Sequence, residues 1–171
     1  MNLIVAVDRN WGIGKGNDLL FHIPEDMKFF RSMTVGKTVV CGRKTLESFP
    51  GGKPLPGRKH FVLSRTPQKS EEDLSFVGNV EELFLELSKI NGDEVFVIGG
   101  AQVYRLLYKH CKLAYVTKIL HEDPKADCFF PNLDEDEAFV LEDSGEIAES
   151  KNGLRFAFCV YRNLLFDEKS E

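Results

Sequence analysis

The chain has 171 residues, of which 43% are hydrophobic and 29% are charged, and its formal net charge at pH 7 is −5. This length fits one domain with its own core, and a second full domain is not expected. The acidic balance disfavours nucleic acid as the main partner, because a phosphate backbone attracts a basic surface. No apolar run approaches the roughly 20 residues of a membrane span, and the apolar segment at 3–7 is too short for the core of a signal peptide. We therefore expect no membrane partner.

The cysteines and histidines give no sign of a metal site. The four cysteines are scattered as Cys41, Cys111, Cys128 and Cys159, and the sequence has no CxxC, HExxH or clustered Cys/His spacing. Buried free thiols in a reducing cytoplasm are the expectation, rather than zinc ligands or disulfides. The histidines form no constellation, and we interpret all of them as structural or surface residues: His22, His60, His110 and His121.

The elements alternate along the chain. Residues 3–7 (LIVAV) predict an apolar strand covered on both faces, and a polar, glycine-rich loop follows to residue 18. A helix is predicted from Pro24 to about Ser32 or Met33, because proline suits the first turn and acidic residues suit the positive end of a helix. Further strands are predicted at 37–42, 59–64, 76–78, 94–100, 113–120, 139–143 and 154–162, and further helices at 42–49, 80–90 and 101–110.

This alternation predicts an α/β domain with a mostly parallel central sheet. We expect the last two strands to pair antiparallel around the turn SKNG at 150–153. The acidic stretch 134–139 is predicted to be a solvated loop. A single domain is expected over residues 1–164, with a frayed acidic tail at 165–171.

Three predicted strands end in residues that can bind phosphate: GRKT at 42–45, SRT at 64–66 and GGAQ at 99–102. In parallel sheets ligands bind outside the carboxyl ends of the strands, and helix starts, hydroxyls and arginines bind anions there. Each turn alone is commonplace, but three on one rim predict a ligand with several phosphates, such as a dinucleotide. Arg65 beside Ser64 favours NADPH over NADH, because it could hold an isolated phosphate. Neither GxGxxG after a strand nor GxxxxGK[ST] occurs.

One carboxylate stands out in the segment FHIPEDMKFF at 21–30. In a helix Asp26 shares a face with Phe29 and Phe30, and an unpaired aspartate on an apolar face is costly to bury. Acidic residues in a first turn often only compensate the helix dipole, a role that Glu25 can fill from the solvent side. Asp26 is therefore the leading functional candidate.

The segments LIVAVD, GIGKGNDLLFHIPEDMKFFR, VVCGRKTLESF, PLPGRKHFVLSR, VFVIGGAQVY and YVTKI, in this order and spacing, resemble dihydrofolate reductase over nearly the whole chain. PLPGR together with IGGAQVY is the most specific part. The resemblance implies an eight-stranded, mostly parallel sheet with four flanking helices and an antiparallel last strand. It implies NADPH-dependent reduction of 7,8-dihydrofolate to 5,6,7,8-tetrahydrofolate by hydride transfer, in the service of one-carbon metabolism. Dihydrofolate and antifolate-type inhibitors are the implied ligands, and a monomer is the default expectation.

The resemblance also assigns the polar residues of the site. Asp26 matches the active-site carboxylate that pairs with the amidine-like edge of the pterin, and Thr117 matches the threonine that hydrogen-bonds it. A desolvated Asp26 should have a raised pKa, because Met27, Phe30 and Ile98 are expected to exclude water around it. Arg58 matches the arginine that binds the α-carboxylate of the glutamate tail, with Lys53 as a weaker contact.

The remaining assignments are implied by the resemblance alone. Further substrate contacts are Ile4, Val5, Ala6, Leu19, Phe21, Met27, Phe30, Phe49, Leu55, Ile98 and Tyr104, with backbone carbonyls of Ile4 and Ile98 available to the exocyclic amine. The implied cofactor contacts are Ala6, Ile13, Gly14, Leu19, Gly42, Arg43, Lys44, Thr45, Leu63, Ser64, Arg65, Ile98, Gly99, Gly100, Ala101, Gln102, Val103 and Tyr104. In the family the peptide between Gly99 and Gly100 is cis.

Phe21 departs from the family pattern, and the role of Trp11 has two interpretations. Where the family usually has Leu-Pro-Trp, this chain has Leu19-Leu20-Phe21, and phenylalanine lacks the indole N–H that holds a water near the substrate. Trp11 lies in the glycine-rich loop, where we expect it to be exposed and mobile, either as a gate or as a loop anchor.

Two other functions remain open from the sequence. One is a related NADPH reductase of riboflavin synthesis, which would not be expected to combine Asp26, PLPGR and Thr117. The other is a non-catalytic folate- or nucleotide-binding protein, which Phe21 makes conceivable.

Overall fold

The structure is a computed structural model, and it describes residues 1–66 and 68–166. Its helices are α1 (Pro24–Thr34), α2 (Arg43–Ser48), α3 (Val80–Leu87) and α4 (Ala101–Leu107). Its strands are β1 (Asn2–Val7), β2 (Gly12–Lys15), β3 (Asp18–Leu19), β4 (Thr38–Gly42), β5 (Lys59–Leu63), β6 (Leu74–Val77), β7 (Val95–Gly99), β8 (Leu113–Ile119), β9 (Cys128–Phe129), β10 (Phe139–Ser144), β11 (Ala148–Glu149) and β12 (Arg155–Asn163).

One large sheet organises the described residues. Its strand order is β10-β12-β8-β1-β7-β4-β5-β6, and the short β11 pairs with β12 beside this path. The strands from β8 to β6 are mutually parallel, whereas β12 is antiparallel to both β8 and β10. The predicted α/β architecture, with a mostly parallel sheet and an antiparallel last strand, is confirmed.

Helices cover both faces of the sheet, which explains why its central strands are apolar along their whole length. On one face Leu3 and Val97 join a core cluster with Leu83 of α3 and Leu107 of α4. Successive side chains of a strand point to opposite faces. Ile4, the neighbour of Leu3, accordingly belongs to a cluster on the other face, against which Phe29 and Phe30 of α1 pack.

The glycine-rich segment is more ordered than the predicted loop. Strands β2 and β3 form a hairpin, and β9 pairs with β2 to complete a small three-stranded sheet. The hairpin turns at Gly16 (φ 58°) and Asn17 (φ 66°), and two consecutive positive φ values match the twist of a tight hairpin. The prediction of a loop was wrong because the residues that flank Gly16 and Asn17 are mostly polar and lack the apolar alternation typical of strands.

The late strands differ in one detail from the prediction. β10 and β12 pair antiparallel, as expected. The turn at 150–153 joins β12 to the two-residue β11 rather than to β10. The expected acidic tail lies, from residue 167 onward, outside the described residues.

Trp11 is buried, with 6% of its surface exposed, so the expectation of an exposed side chain was wrong. Its ring lies 6.2 Å from Phe130 and 6.0 Å from Tyr161, between ring centroids. The ammonium of Lys118 stands 5.0 Å from its ring centroid and pairs with Asp134 at 2.7 Å. Aromatic contacts and a cation over the ring favour the anchor interpretation.

The expectation of buried thiols is confirmed at three of the four cysteines. Cys41, Cys111 and Cys159 are buried, Cys128 is partly exposed, and all four are free thiols. Burial raises the pKa of Cys41 to about 12. None of the described helices combines the length and the apolar character needed to cross a membrane.

Candidate active site

Asp26 lies in the first turn of α1, over strand β8. Pro24 begins the helix, and Phe29 docks the next turn against Phe158 of β12, with ring centroids 4.5 Å apart. This docking directs Asp26 toward Thr117, whose hydroxyl donates a hydrogen bond of 2.6 Å to the carboxylate. Thr117 is 1% exposed and pairs in register with Ala6 of β1. The structure thus brings the two residues predicted to be catalytic into contact.

The carboxylate of Asp26 is electrostatically unbalanced. Burial raises its pKa, and the hydrogen bond from Thr117 opposes that rise without cancelling it. Among residues 1–66 and 68–166, no lysine, arginine or histidine forms an ion pair with Asp26. A half-buried carboxylate with one neutral donor has capacity for a further N–H partner.

Glu25, the neighbouring carboxylate, has a different environment. It accepts hydrogen bonds from the hydroxyl of Ser150 at 2.7 Å and from the backbone N–H of Lys151 at 3.3 Å. The bond from Ser150 is the main reason that the pKa of Glu25 is lowered. Asn152 of the same turn donates to the carbonyl of His22. The turn at 150–153 therefore holds the start of α1.

Arg58 is held at the opposite end of α1. Its guanidinium donates to the hydroxyl of Thr34 and to the carbonyl of Pro56, both at 3.1 Å. The side chain is only 8% exposed. Burial, and secondarily the charge of Arg31, lowers its pKa. In the described residues no carboxylate pairs with Arg58, so its remaining N–H donors can bind an anion.

Apolar side chains lie between Asp26 and Arg58, the polar residues at the two ends of α1. Ile98 of β7 packs both on the cluster that holds Phe49 and on the cluster that holds Phe30, so it lies between α2 and α1. Phe30, Phe49, Leu55 and Ile98 are all half-buried. Met27, expected to help exclude water from Asp26, is itself 53% exposed to solvent.

The carbonyl of Ile4, predicted to receive an exocyclic amine, already accepts a hydrogen bond. The hydroxyl of Tyr104 donates to it at 2.7 Å. Tyr104 is 5% exposed, and burial raises the pKa of its phenol, which keeps it protonated as a donor. An incoming amine would share this acceptor with Tyr104.

The three candidate phosphate turns share one edge of the sheet, because β7, β4 and β5 are neighbours. The turns after β4 and β7 are in contact: a Cβ on Gly100 would lie 3.2 Å from the Thr45 hydroxyl, and one on Gly42 would lie 3.2 Å from Val103. Gly99 has φ of 116°, and its peptide bond to Gly100 is cis, as the resemblance implied. Glycine is required there, since an L side chain rarely adopts this φ and would press on the Tyr104 ring.

The basic residues of this edge are mostly free for a ligand. Lys44 and Arg65 are exposed, and in the described part of the chain neither forms an ion pair. Arg43 pairs with Glu47 one turn along α2. The Ser64 hydroxyl donates to the Thr66 carbonyl at 2.8 Å.

Residues that the sequence reasoning missed hold the hairpin of β2 and β3. Asp8 is 3% exposed, and its carboxylate accepts backbone N–H bonds from Gly12 at 2.7 Å and from Asp123 at 3.1 Å. Asp127 accepts from the N–H of Gly16 at 2.9 Å. An aspartate directly after a buried strand was a signal for Asp8, whereas nothing local indicates a partner for Asp127 more than a hundred residues away.

The chain is similar to known proteins over nearly its whole length. The family model described as dihydrofolate reductase matches residues 1–163. Dihydrofolate reductase of Bacillus subtilis (strain 168) is 36% identical over 162 residues, which are 94% of this chain and 93% of that protein. That of Staphylococcus haemolyticus is 33% identical over 164 residues, which are 96% of each. A solved structure of dihydrofolate reductase from Enterococcus faecalis, complexed with NADP(H) and RAB-propyl, superposes with a TM-score of 0.82 at 32% identity, covering 95% of each chain. The chain therefore belongs to the dihydrofolate reductase family, the NADPH-dependent oxidoreductases that reduce dihydrofolate to tetrahydrofolate.

Proposed function

We propose that this chain reduces 7,8-dihydrofolate to 5,6,7,8-tetrahydrofolate with NADPH, and that Asp26 and Thr117 form the polar centre of the reaction. The observation that carries the proposal is the carboxylate of Asp26, which receives one hydrogen bond of 2.6 Å from Thr117 and has no cationic partner among the described residues. The pterin edge offers two parallel N–H donors, which suit a carboxylate. Asp26 therefore orients the ring and favours its protonated form.

The edge formed by the three turns fits a dinucleotide phosphate. Glycines at 99 and 100 leave room where a Cβ would meet Tyr104 or Thr45, and exposed Lys44 and Arg65 supply positive charge. NADP(H) is the cofactor in the Enterococcus faecalis structure. We assign Lys44 and Thr45 to the pyrophosphate, and Ser64 and Arg65 to the isolated phosphate of the adenosine. When bound, NADPH supplies the hydride for a pterin carbon.

The protein contributes proximity and charge to this transfer. The hairpin that contains Ile13 and Gly14 and the turn at 99–104 would hold the nicotinamide against the pterin. In the family pattern the carboxylate is too far from the imine nitrogen to donate directly, so we assign the proton to a water. Asp26 acts by electrostatics: burial raises its pKa because it penalises the unpaired carboxylate, and a protonated pterin would supply the missing partner.

The tail of the substrate would extend toward the other end of α1. Arg58 offers a fork of N–H donors to the α-carboxylate, and exposed Lys53 adds a weaker contact. Phe30, Phe49 and Leu55 are half-buried and would hold the aminobenzoyl ring. The other substrate and cofactor residues assigned from the resemblance remain proposals of the same kind.

One alternative keeps a specific observation in its favour. Phe21 lacks the indole donor of the family, so a folate-binding protein that has lost turnover is the second candidate. The riboflavin reductase is disfavoured, because the family model for dihydrofolate reductase matches residues 1–163. We also propose that the enzyme is a cytoplasmic, single-domain monomer, and its four free cysteines support the reducing compartment.

The test is oxidation of NADPH by the purified chain with and without 7,8-dihydrofolate. Oxidation that depends on dihydrofolate, and that Asp26→Asn strongly reduces near neutral pH, supports the proposal. Binding of dihydrofolate measured by calorimetry without NADPH oxidation would instead favour the non-catalytic alternative.

A further inference from the structure

His60 is a fully buried histidine whose ring connects two residues of the turn PLPGR. Its side chain is on β5 and has 0% exposure. Nδ1 lies 3.0 Å from the carbonyl oxygen of Arg58, and Nε2 accepts the backbone N–H of Leu55 at 3.1 Å. The ring therefore bridges the backbone of Leu55 and the backbone of Arg58, two residues of this turn.

These partners determine the protonation of the ring. A carbonyl can only accept and a backbone amide can only donate, so Nδ1 must hold the proton and Nε2 must present its lone pair. Burial lowers the pKa of His60 and keeps the ring neutral, which preserves that lone pair. The one donor and the one acceptor of the ring are thus matched to the carbonyl of Arg58 and the N–H of Leu55.

His60 is itself fixed in the sheet. Its backbone pairs with Val39 of β4 and Leu74 of β6, and its N–H donates to the carbonyl of Asp73 at 2.8 Å. Its ring also meets the ring of Phe49 edge-on, with 6.2 Å between centroids. A strand residue thus contacts three of the residues that are assigned to the substrate tail: Leu55, Arg58 and Phe49.

We propose that His60 is a positioning residue for the aminobenzoylglutamate half of the substrate: it holds the turn at 54–58 so that Arg58 and Leu55 meet that half together. The inference rests on the proposed function, which assigns the tail to this turn. It predicts that His60 affects binding of the tail and leaves the pterin and the cofactor untouched.

The test compares two substrates. His60→Leu removes both hydrogen bonds and puts an apolar side chain in place of the ring. It should raise KM for dihydrofolate about tenfold, equivalent to ~1.4 kcal/mol. KM for NADPH should stay the same, as should KM and kcat for a 7,8-dihydropterin without the tail. His60→Asn retains a donor and an acceptor and should recover most of the affinity. His110→Leu, at an exposed histidine, is the matched control and should change nothing.

Other outcomes separate this inference from the proposed function. If Arg58→Ala leaves KM for dihydrofolate unchanged, the assignment of the tail to this turn fails. If Arg58→Ala raises KM and His60→Leu does not, the role of His60 fails alone. Equal losses with the tailless pterin would make His60 a general structural residue and overturn the inference. His60→Val, which suits a strand, replaces the leucine variant if thermal unfolding finds the latter unfolded. Failure of both to fold would likewise overturn it.

Discussion

The substrate side and the cofactor side of this site hold their charges differently. On the substrate side, Asp26 and Arg58 are fixed by neutral groups: the hydroxyls of Thr117 and Thr34 and a backbone carbonyl. On the cofactor side, Lys44 and Arg65 are exposed and have no ion pair in the described residues. Neutral partners fix a charged side chain in position while leaving its charge for the ligand.

This difference has a physical consequence. A group that is fixed before binding loses little conformational entropy when the ligand arrives. More of its interaction energy therefore contributes to affinity, and it also orients the ligand. An exposed lysine or arginine is ordered only by the ligand, and mainly adds attraction that salt weakens. Changes on the substrate side should therefore alter turnover and stability, and changes on the cofactor side should alter cofactor affinity alone.

The largest effect is expected for Asp26→Asn. The variant should fold and bind NADPH, but turnover near neutral pH should fall by ~10² or more, a loss of ~2.7 kcal/mol in transition-state stabilisation. Acidic pH should restore part of the rate, because the substrate is then already protonated. Steady-state kinetics across pH measures this, and near-normal turnover at neutral pH would contradict the role of Asp26.

Arg65→Ala tests the cofactor side. The unchanged enzyme should prefer NADPH over NADH by at least about tenfold, since a charge-assisted phosphate contact contributes ~1.5–3 kcal/mol. The variant should lose most of that preference without a change in unfolding free energy. Lys44→Ala is the control, because a contact to the shared pyrophosphate should weaken both cofactors alike. An unchanged cofactor ratio in Arg65→Ala would remove Arg65 from this role.

Phe21→Trp should have a smaller effect. Phe21 packs edge-on against His121, with centroids 5.6 Å apart, and it is half-buried, so the larger indole has an open side. Substrate affinity or turnover should shift by less than about tenfold, which is ~1.4 kcal/mol, because the hydrogen bonds of a bridging water are largely offset by ~0–2 kcal/mol of ordering cost. Denaturant unfolding and steady-state kinetics of the variant together distinguish overpacking from a changed water network. Overpacking would appear as a loss of ~1–3 kcal/mol in unfolding free energy, and lost activity at unchanged stability would mean that a different water network surrounds Phe21.

The adjacent carboxylates of α1 should respond to pH with opposite signs. The pKa of Asp26 is raised by burial, so its stabilising contribution is present at acidic pH and is lost as pH rises through that pKa. Asp26→Asn should therefore increase the unfolding free energy at neutral pH, and the increase should disappear on acidification.

Glu25 supplies the matched control for that experiment. Its pKa is lowered by the bond from Ser150, so its contribution is present at neutral pH and is lost as pH falls through the lowered pKa. Glu25→Gln should decrease stability at neutral pH and have little effect in acid. Urea unfolding at both pH values measures the two variants, and the same sign for both would contradict the contrast.

Local patterns in the sequence determined most of the fold. The run LIVAV, the proline and acids that begin α1, and the turns after three strands all act through neighbours a few residues away, and the elements formed where these patterns placed them. The same is true of Asp26, since helical spacing alone puts it on the face of Phe29 and Phe30. The expected exposure of Trp11 was wrong because its partners, Phe130 and Tyr161, are distant in the chain.

Only the tertiary structure decided which groups satisfy one another. Thr117 reaches Asp26 from 91 residues away, and Asp127 reaches the N–H of Gly16 from 111 residues away. His60 is a histidine in an apolar strand by sequence, and its two backbone partners are defined only once the turn at 54–58 folds over β5. The physical reason is that a strand or helix is selected by its own residues, whereas a buried hydrogen bond needs a donor and an acceptor brought together by the packing of the whole domain.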